Sequence, residues 1–522
     1  MMSPPLSPSP SHHDSCKKWK RTNLRLATQN YYSSNNAAVA ASAVTDDSSS
    51  STTMTKEEDS SEAAIHLAAA ADNYLHLPII FSSLSSSLDG SNSHGNTDHE
   101  QQHSTRRRRL PQLMALDHYL ATSVPQLTSS TQQLLFSSHA AANCDGSHQV
   151  ITSSNSGRVI NVLQGEMAHC TPSQADVLVS DDATTCHILG LWSRICCSCS
   201  CNSCGAQRAI NERNKDGSVS TILASMAHID GPGYQDCLKS AIDLHYEYHS
   251  SFQISCCDHK QGDDESHLFV IEVYIHMMGG YNDDNATSIE ITEDVLRTLS
   301  DISDDYTRKS SGKDEMQQQP RMQMILQTCA VSCANDNGSG CPIGRGLALN
   351  VSSGKVYLAE VGEDVESSLP SSSRDMNHSN DITNSAQGPD VILRSSRLWA
   401  SSFYSRHNRS NKNNKELQII HHPNTEYLTI SPFYFRPHPY AHDLLSLNDE
   451  QLIQLTSTSP EVEKDNFVRN VRRSLGYMNG TSSRYVFKKS ETASGGGNDD
   501  ETDDYLPRRF RRVGLNGWVA VA

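Results

Sequence analysis

The sequence predicts an α+β domain whose strands and helices pack in layers. Short runs rich in Val, Ile and Leu recur between residues 159 and 521, and a few helical stretches separate them. This succession favours antiparallel sheets with segregated helices over a parallel βαβ fold. Only 36% of the 522 residues are hydrophobic and 6% are aromatic, which is too few for a packed core along the whole chain. Long polar segments are therefore expected beside the domain.

The first 105 residues are predicted to form a disordered tail, and residues 106–522 the domain. Ser, His, Asn, Ala and Asp dominate the tail, which cannot bury enough apolar surface to offset its chain entropy. A basic patch between Lys17 and Arg25 resembles an organelle transit segment or is simply solvated. Arg106–Arg109 is either a nuclear address or another solvated run. No apolar stretch suits a secretory signal or a membrane span, so a soluble protein is expected.

The charge balance narrows the classes of partner. The formal net charge is −17 at pH 7. Nucleic acid and anionic membranes both require a basic protein face, so neither is expected as the main partner. Fifteen cysteines without a signal peptide indicate a reducing compartment rather than a disulfide framework.

The stretch from Val177 to Trp192 presents one cysteine in a polar frame. The apolar run Val177–Val179 predicts a strand, and the polar residues Ser180–Thr185 predict a tight turn. The apolar residues after Cys186 predict a second buried element. Backbone N–H groups beside such a turn can favour a thiolate and hold an oxyanion. The alternative is that Cys186 is a small buried hydrophobe.

Hydrophobic periodicity predicts the other elements in order. Gly279 and Gly280 either allow a close backbone approach or only turn the chain. His228 is expected at the end of its strand. Strands are expected at Val159–Val162, Ser220–Ala227, Leu268–Tyr274, Met324–Val331, Leu347–Tyr357 and Leu428–Phe435, and helices at Gly233–His249, Glu293–Leu299, Asp449–Leu455 and Phe467–Leu475.

Several segments carry a resemblance to a known family. The most specific is S-D-D-A-T-T-C-H-I, which contains Cys186. The others are R-L-P-Q at Arg109–Gln112, H-I-D-G at His228–Gly231, M-G-G-Y-N-D-D at Met278–Asp284, G-L-A-L-N-V-S-S-G-K-V-Y at Gly346–Tyr357, I-S-P-F-Y-F-R-P-H-P at Ile430–Pro439, S-T-S-P at Ser457–Pro460, F-V-R-N-V-R-R-S-L at Phe467–Leu475 and a final strand at Phe510–Val521. In this order they resemble the protein N-terminal asparagine amidohydrolases, and the first resembles the active-site segment of that family.

The resemblance implies a layered α-β-β sandwich with a Cys/His deamidase core, similar in fold to bacterial receptor glutamine deamidases and deamidating toxins. It implies that His228 lies beside Cys186 on an adjacent strand, within the reach that an activated nucleophile requires. His187 is the rival, but a side chain next to Cys186 on an extended segment points to the opposite face. The deamidase relatives carry a hydroxyl residue about six positions before the cysteine. Ser180 has that position and is the expected third member.

Three polar segments are expected to be flexible insertions, near residues 194–217, 363–390 and 490–504. The first contains Cys196, Cys197, Cys199, Cys201 and Cys204 and falls where the family has a short connection. Close thiolates suit zinc or copper(I), but two well-separated C-x-x-C pairs are absent. An inserted loop is therefore expected, with no metal and no cofactor.

The implied chemistry is amide hydrolysis through a cysteine thioester. His228 takes the proton of Cys186, the thiolate attacks the carbonyl, and N–H groups around Thr185 and Cys186 hold the oxyanion. His228 then protonates the departing ammonia, and water hydrolyses the thioester. A substrate with a free N-terminus also needs a carboxylate for its α-ammonium. The candidate substrate-binding residues are Asp181, Asp182, Thr185, Asp230 and Glu272, with Leu110 and Pro111 near the entrance by resemblance.

Three functions are compatible with these sequence features. The first is deamidation of an N-terminal Asn of proteins or peptides to Asp, which creates a secondary N-degron for arginylation and ubiquitin-dependent degradation. The second is deamidation of Gln within folded proteins. The third is a non-enzymatic metal-binding adaptor built on the cysteine cluster. The first reading also implies peptide substrates as partners, a monomer, and a location in the cytoplasm or nucleus.

Overall fold

The computed structural model describes the chain in fourteen segments, all of which lie C-terminal to residue 124. They are residues 125–140, 149–152, 155–197, 221–231, 233–251, 269–281, 287–310, 320–335, 342–362, 383–403, 417–457, 459–464, 466–490 and 505–521. The predicted tail at residues 1–105 and the entrance residues Leu110 and Pro111 lie outside them. So do Cys199, Cys201 and Cys204.

The described segments contain fifteen strands, eight helices and two 3₁₀ turns. The strands are β1 (Gln149–Ile151), β2 (Val159–Asn161), β3 (Glu166–Cys170), β4 (Val177–Ala183), β5 (His187–Cys197), β6 (Ile222–Ile229), β7 (Phe269–Gly279), β8 (Arg321–Val331), β9 (Arg345–Asn350), β10 (Val356–Val361), β11 (Thr383–Asn384), β12 (Gln418–His421), β13 (Tyr427–Ile430), β14 (Arg508–Val513) and β15 (Gly517–Val521). The helices are α1 (Pro125–Ala140), α2 (Gln235–Ser250), α3 (Thr287–Ser310), α4 (Val391–Phe403), α5 (Pro439–Ser446), α6 (Asp449–Thr456), α7 (Phe467–Gly480) and α8 (Ser483–Val486), with 3₁₀ turns at Ser332–Asn335 and Pro460–Val462.

The strands form two mixed sheets. The smaller has the order β1-β10-β9-β4-β2, with parallel pairs at both of its ends. The larger has the order β11-β15-β14-β13-β12-β3-β6-β5-β7-β8. Its parallel pairs are β12 with β3 and β7 with β8, and its other pairs are antiparallel. The α+β class is confirmed.

The side chains of β5 explain why this strand lies deep in the larger sheet. Its residues are apolar on both faces, as expected for a strand that is covered on both sides. Ile188 and Trp192 point into a core that also contains Leu178 of β4, so this core lies between the sheets. Leu189 and Leu191 point into a second core with α2 and α3. The layers are therefore helices, the larger sheet and the smaller sheet.

A bulge in β4 changes the direction of the chain just before Cys186. Ser180 pairs with Leu347 and Ala183 with Arg345, so Asp181 and Asp182 together oppose the single residue Gly346. Asp182 adopts a φ of 58°, a left-handed conformation that non-glycine residues rarely take. Bulges of this kind re-aim a strand and are frequent beside active sites.

Most predicted elements are present, with shifted ends. Helix α6 begins at a capping box between Asn448 and Gln451, which is a strong start signal. The strand predicted at Leu428–Phe435 is wrong beyond Ile430, because Pro432 has no N–H for a ladder. The single strand predicted at Leu347–Tyr357 is instead the hairpin β9–β10. Strand β6 extends beyond Ala227 and includes His228.

The predicted insertions overlap regular structure at their borders. Strand β5 continues to Cys197, and β11 takes up two residues of the segment predicted at 363–390. Residues 385–390 and residue 490 are described and lie outside helices and strands, whereas residues 198–217, 363–382 and 491–504 lie outside the described residues. Among the helices that the structure describes, none is both long and apolar enough to cross a membrane.

Candidate active site

Cys186 and His228 lie on the same face of the larger sheet. Ile188 of β5 pairs with His228 of β6, and Cys186 precedes Ile188 by two residues, the period that returns a side chain to the same face. The Cys186 Sγ atom is 2.8 Å from Nε2 of His228. Both side chains are buried, with 5% and 3% of their surface exposed. The thiol and the imidazole are thus placed for direct proton transfer.

Ser180 approaches the same histidine from the smaller sheet. Its Oγ is 2.8 Å from Nδ1 of His228 and 2.6 Å from the carbonyl oxygen of Val162. A carbonyl only accepts, so the hydroxyl donates to Val162 and accepts from the Nδ1–H of His228. The neutral His228 ring therefore carries its proton on Nδ1 and presents the lone pair of Nε2 to Cys186. The three side chains form one hydrogen-bonded row across the two sheets.

Burial opposes charge on both members of the pair. It raises the pKa of the Cys186 thiol, and the Asp230 carboxylate raises that pKa further. Burial also lowers the pKa of His228 to about 4. Both shifts favour a neutral thiol and a neutral imidazole in the resting pair.

Two backbone N–H groups at the sulfur act against the rise that burial causes in the pKa of the Cys186 thiol. Hydrogen bonds from the Thr184 and Cys186 backbones favour the thiolate and lower the thiol pKa. The sequence predicted N–H groups around Thr185 and Cys186, and the two donors to the sulfur are those of Thr184 and Cys186. The carbonyl of Thr185 accepts a 3.1 Å hydrogen bond from Ser288 at the start of α3. Backbone donors beside a nucleophile are suited to a developing oxyanion.

Gly279 and Gly280 pack directly on the backbone of Cys186. The Gly280 N–H donates to the Cys186 carbonyl at 2.8 Å. A side-chain carbon at Gly279 would collide with that same carbonyl, and its φ is 107°. The side-chain amide of Asn335 donates a 3.0 Å hydrogen bond to the Gly280 carbonyl. Of the two alternatives for these glycines, close backbone approach is the correct one.

Asp230 is the acid that acts most strongly on the thiol. It follows β6 by one residue, and its charge is the second-largest influence on the Cys186 pKa. Its side chain is accessible to solvent, yet the surrounding protein raises its pKa while a hydrogen bond from Gln164 opposes that shift. Asp230 is therefore an exposed acid whose charge acts on the buried thiol.

Asp181 and Asp182 belong to the bulge rather than to the row. Oδ2 of Asp181 accepts from the N–H of Val361 at 2.9 Å. Burial, followed by the neighbouring Asp182, raises the pKa of Asp181 to about 7. Lys464 binds Asp182 at 2.6 Å and Glu360 at 2.8 Å. These contacts hold the turn that leads to Cys186.

Glu272 is not brought to the site. It pairs with Arg194, seven residues along β5 from His187, which is roughly 20 Å at the rise of a strand. Its carboxylate binds Nε of Arg194 at 2.8 Å and the hydroxyl of Tyr274 at 2.8 Å. The expectation that Glu272 binds substrate beside Cys186 does not fit this position.

His187 and the cysteine cluster also lie apart from the row. His187 points to the helical side of the sheet, where its Nε2 is 2.7 Å from the hydroxyl of Thr292. The Sγ atom of Cys196 is 3.3 Å from Oε2 of Glu272. Within the described segments, no group of three or more His, Cys, Asp or Glu side chains is placed to hold a metal ion.

Sequence reasoning did not identify four contributors to the site: Gln164, Thr184, Lys464 and the Val162 carbonyl. Lys464 had a weak signal, because it is a lone cation between Glu463 and Asp465 shortly after the S-T-S-P segment. The others depend on register and loop geometry and carry no signal in the residue pattern.

The fold and the site together define a class of protein. An α+β domain with a buried thiol, an imidazole and a hydroxyl in one row has the geometry of hydrolases that use an activated thiol. The family model for "Protein N-terminal asparagine amidohydrolase" matches residues 149–494, more than half of the chain. The chain belongs to this family and is a hydrolase.

Curated relatives agree with the family model. The chain is 25% identical over 325 residues to a protein N-terminal asparagine amidohydrolase of Sus scrofa, covering 61% of this chain and 74% of the relative. It is 23% identical over 325 residues to the protein of the same name in Homo sapiens, with the same coverage. The corresponding protein of Arabidopsis thaliana is 25% identical over 333 residues, covering 62% and 74% of the two chains.

Proposed function

We propose that this chain hydrolyses the side-chain amide of an N-terminal asparagine in proteins or peptides, giving aspartate and ammonia. The observation that carries the proposal is the 2.8 Å approach of His228 Nε2 to Cys186 Sγ in a chain of this family. The relatives named for the same reaction support the choice of substrate.

The reaction begins as the asparagine amide reaches Cys186. Nε2 of His228 removes the thiol proton while sulfur bonds to the amide carbon, and the π electrons of the carbonyl move onto oxygen. The N–H groups of Thr184 and Cys186 stabilise that oxyanion. Ser180 accepts from Nδ1 throughout and stabilises the imidazolium that forms.

Collapse of this intermediate breaks the carbon–nitrogen bond. His228 gives its Nε2 proton to the departing nitrogen, which leaves as ammonia, and the carbonyl reforms as a thioester on Cys186. Water then loses a proton to neutral His228 and attacks the thioester. The carbon–sulfur bond breaks, the thiol is restored, and the product begins with aspartate.

Asp230 is the proposed partner of the substrate α-ammonium. It is solvent-accessible at the site and acts electrostatically on Cys186. Asp182 also acts on the thiol, but Lys464 already binds it. Leu110 and Pro111 remain proposed entrance residues by family resemblance. The N-terminal aspartate would serve as a secondary signal for arginylation and ubiquitin-dependent degradation, in the cytoplasm or nucleus, and a monomer suffices for this site.

The decisive experiment measures ammonia release and product mass from peptides that differ only at their start. The set has free N-terminal Asn, acetylated Asn, free Gln, and Asn moved one position inward. We expect turnover of free N-terminal Asn alone. A folded protein with an internal Gln is assayed beside the peptides, and its turnover would favour the glutamine deamidase. No turnover of any substrate would favour the metal-binding adaptor.

The same assay tests the nucleophile. Cys186→Ala is expected to lose turnover while keeping its circular dichroism spectrum and melting temperature. Cys237→Ala is the matched control, since Cys237 is also buried but lies in α2. Retained turnover in Cys186→Ala would refute the assignment of Cys186.

A further inference from the structure

The partly exposed turn at residues 182–185, which leads to Cys186, is taken as the mouth of the candidate site, and Arg345 lies beside it on the smaller sheet. It opens β9 and pairs with Ala183, three residues before Cys186. Leu347 and Leu349, which alternate with it, point into the core between the sheets, so the period of the strand places Arg345 on that same face. The preceding residue adjoins the site as well, since a side-chain carbon at Gly344 would lie 3.8 Å from the methyl carbon of Thr184.

Arg345 is half-buried, and no carboxylate among the residues that the structure describes pairs with its guanidinium. Its Nε atom is buried and makes no hydrogen bond. Burial alone accounts for the lowering of its pKa, with no carboxylate acting against that effect. An unpaired buried charge is costly, and sites that bind ligands often retain such a cost in the empty state.

Arg394 shows how this protein treats an arginine with a structural role. Its Nε donates to Oε1 of Glu166 at 2.9 Å, and its other nitrogens reach the carbonyls of Asn161 at 2.6 Å and Gln387 at 3.1 Å. Its side chain is fully buried and paired with a carboxylate. Arg345 is only half-buried, but its Nε is buried without an acceptor, which is the condition of a donor that can bind an acceptor from outside.

We propose that Arg345 binds the carbonyl oxygen of the first peptide bond of the substrate, opposite an Asp230 that binds the α-ammonium. This inference rests on the proposed function. Arginine only donates hydrogen bonds, so its partner must be an acceptor. When the asparagine side chain reaches the buried Cys186, the ammonium and the carbonyl on its α-carbon remain near the mouth. A carboxylate and a guanidinium there match the two ends of that short backbone.

The first test is Arg345→Met, which keeps the length of the side chain and removes its donors. With an Asn-initiated peptide we expect KM to rise about tenfold to a hundredfold, the range for loss of a charged hydrogen bond, and kcat to change less than threefold. The melting temperature should stay level or rise, because an unpaired charge is removed. Arg394→Met is the control. It should lower the melting temperature because it leaves the buried Glu166 carboxylate without its partner.

The second test changes the substrate. A peptide whose first amide is replaced by an (E)-alkene lacks the carbonyl but keeps its shape. The wild type should lose as much affinity on this change as it loses in Arg345→Met, and the variant should barely distinguish the two peptides. Equal discrimination by both proteins, or a fall in melting temperature of Arg345→Met, would overturn the assignment.

These results separate the two proposals. Turnover of the parent peptide by the wild type with no effect of Arg345→Met rejects only the role of Arg345. No turnover of the parent peptide by the wild type rejects the proposed function, and the role of Arg345 falls with it.

Discussion

At the scale of single residues, the hydroxyl of Ser180 decides which nitrogen of His228 faces the thiol. It donates to Val162 and can therefore only accept from Nδ1. Without this acceptor, the imidazolium loses a charge-assisted hydrogen bond, which is worth about 1.5–3 kcal/mol. In the proposed mechanism, Ser180 thus acts through the protonation of His228.

We predict that Ser180→Ala lowers kcat about tenfold to a hundredfold, the rate equivalent of that free energy. A less stable imidazolium also means a lower His228 pKa, so the acidic limb of the kcat–pH profile should move to lower pH. Since the pKa of His228 is about 4 in the wild type, steady-state kinetics between pH 3 and 8 measure both effects.

Ser193→Ala is the matched control for Ser180→Ala. Ser193 is also buried and lies 2.6 Å from Nδ1 of His245 and 2.7 Å from Nε2 of His249, near α2. Its loss should lower stability and leave the pH profile unchanged. A profile that moves equally in both variants would contradict a specific role for Ser180.

The residue pattern could identify Cys186, His228 and Ser180 as candidates because each lies in or beside a segment with a recognisable family motif. It could not identify Arg345 or Gln164. Arg345 reaches the site only through the pairing of β4 with β9, which are more than 150 residues apart in sequence. Such a register is decided by the packing of both sheets.

At the scale of elements, the junction between β7 and the start of β5 requires a surface without side chains. Gly279 would place any side chain against the Cys186 carbonyl, and its φ of 107° suits glycine. The backbone of the proposed nucleophile is thus positioned by a neighbouring strand as well as by its own turn.

We predict that Gly279→Ala destabilises the protein by at least about 1–3 kcal/mol, the cost of a strained backbone, and sharply reduces turnover. Gly476→Ala in α7 is the control, because a side chain there meets nothing within 4 Å. Alanine should stabilise that helix by up to about 1 kcal/mol. Denaturant unfolding measures both, and equal stability of the two variants would contradict the steric argument.

Elements with a clear period were predictable from the sequence, and short ones were not. Helix α7 buries Val468, Val471, Leu475 and Met478 at helical spacing, which indicates a helix directly. Strand β3 reads E-M-A-H-C and β12 reads Q-I-I-H, and neither has enough length or alternation to be recognised. Both are strands because they pair with each other across about 250 residues of chain.

At the scale of the whole molecule, buried neutral histidines form a second feature of the core. Nδ1 of His169 is 2.6 Å from Ser225, whose hydroxyl is 2.8 Å from His245, and the chain of contacts continues to Ser193 and His249. Burial lowers the pKa of His169 to about 3 and that of His249 to about 4. These rings remain neutral as long as the fold is intact.

We predict that the free energy of unfolding falls steadily as pH drops from 7 to 4. Each such histidine has a pKa near 6.5 when unfolded, so the unfolded state binds more protons in this range. Each can contribute up to about 1.4 kcal/mol per pH unit, and that stability is lost as pH falls from about 6.5 towards 3–4. Four carboxyl groups with a raised pKa act in the opposite sense, namely Asp181, Asp230, Asp390 and Glu463. Eight histidines of the described segments have a lowered pKa and outnumber them. Urea unfolding at pH 7.5, 6 and 5 measures the slope.

His276→Gln tests the origin of the slope. His276 is buried with a pKa lowered to about 3 by burial, and its Nδ1 is 2.9 Å from the Thr328 hydroxyl. Its replacement should lower the number of protons taken up on unfolding by about one in this pH range. The free energy of unfolding should then depend less steeply on pH. A pH-independent stability in the wild type would contradict the assignment of neutral buried histidines.

The parallel pairing of β12 with β3 also has a consequence for how the protein is made. Ser180, Cys186 and His228 have all been synthesised when β12 is still about 190 residues from synthesis. At 5–20 residues per second, that interval is roughly 10–40 s. During it, β3 lacks the neighbour on one of its edges, and Glu166 lacks Arg394. The nascent chain therefore contains every residue of the row before it can hold them in place, and its open strand edge needs protection from aggregation until β12 arrives.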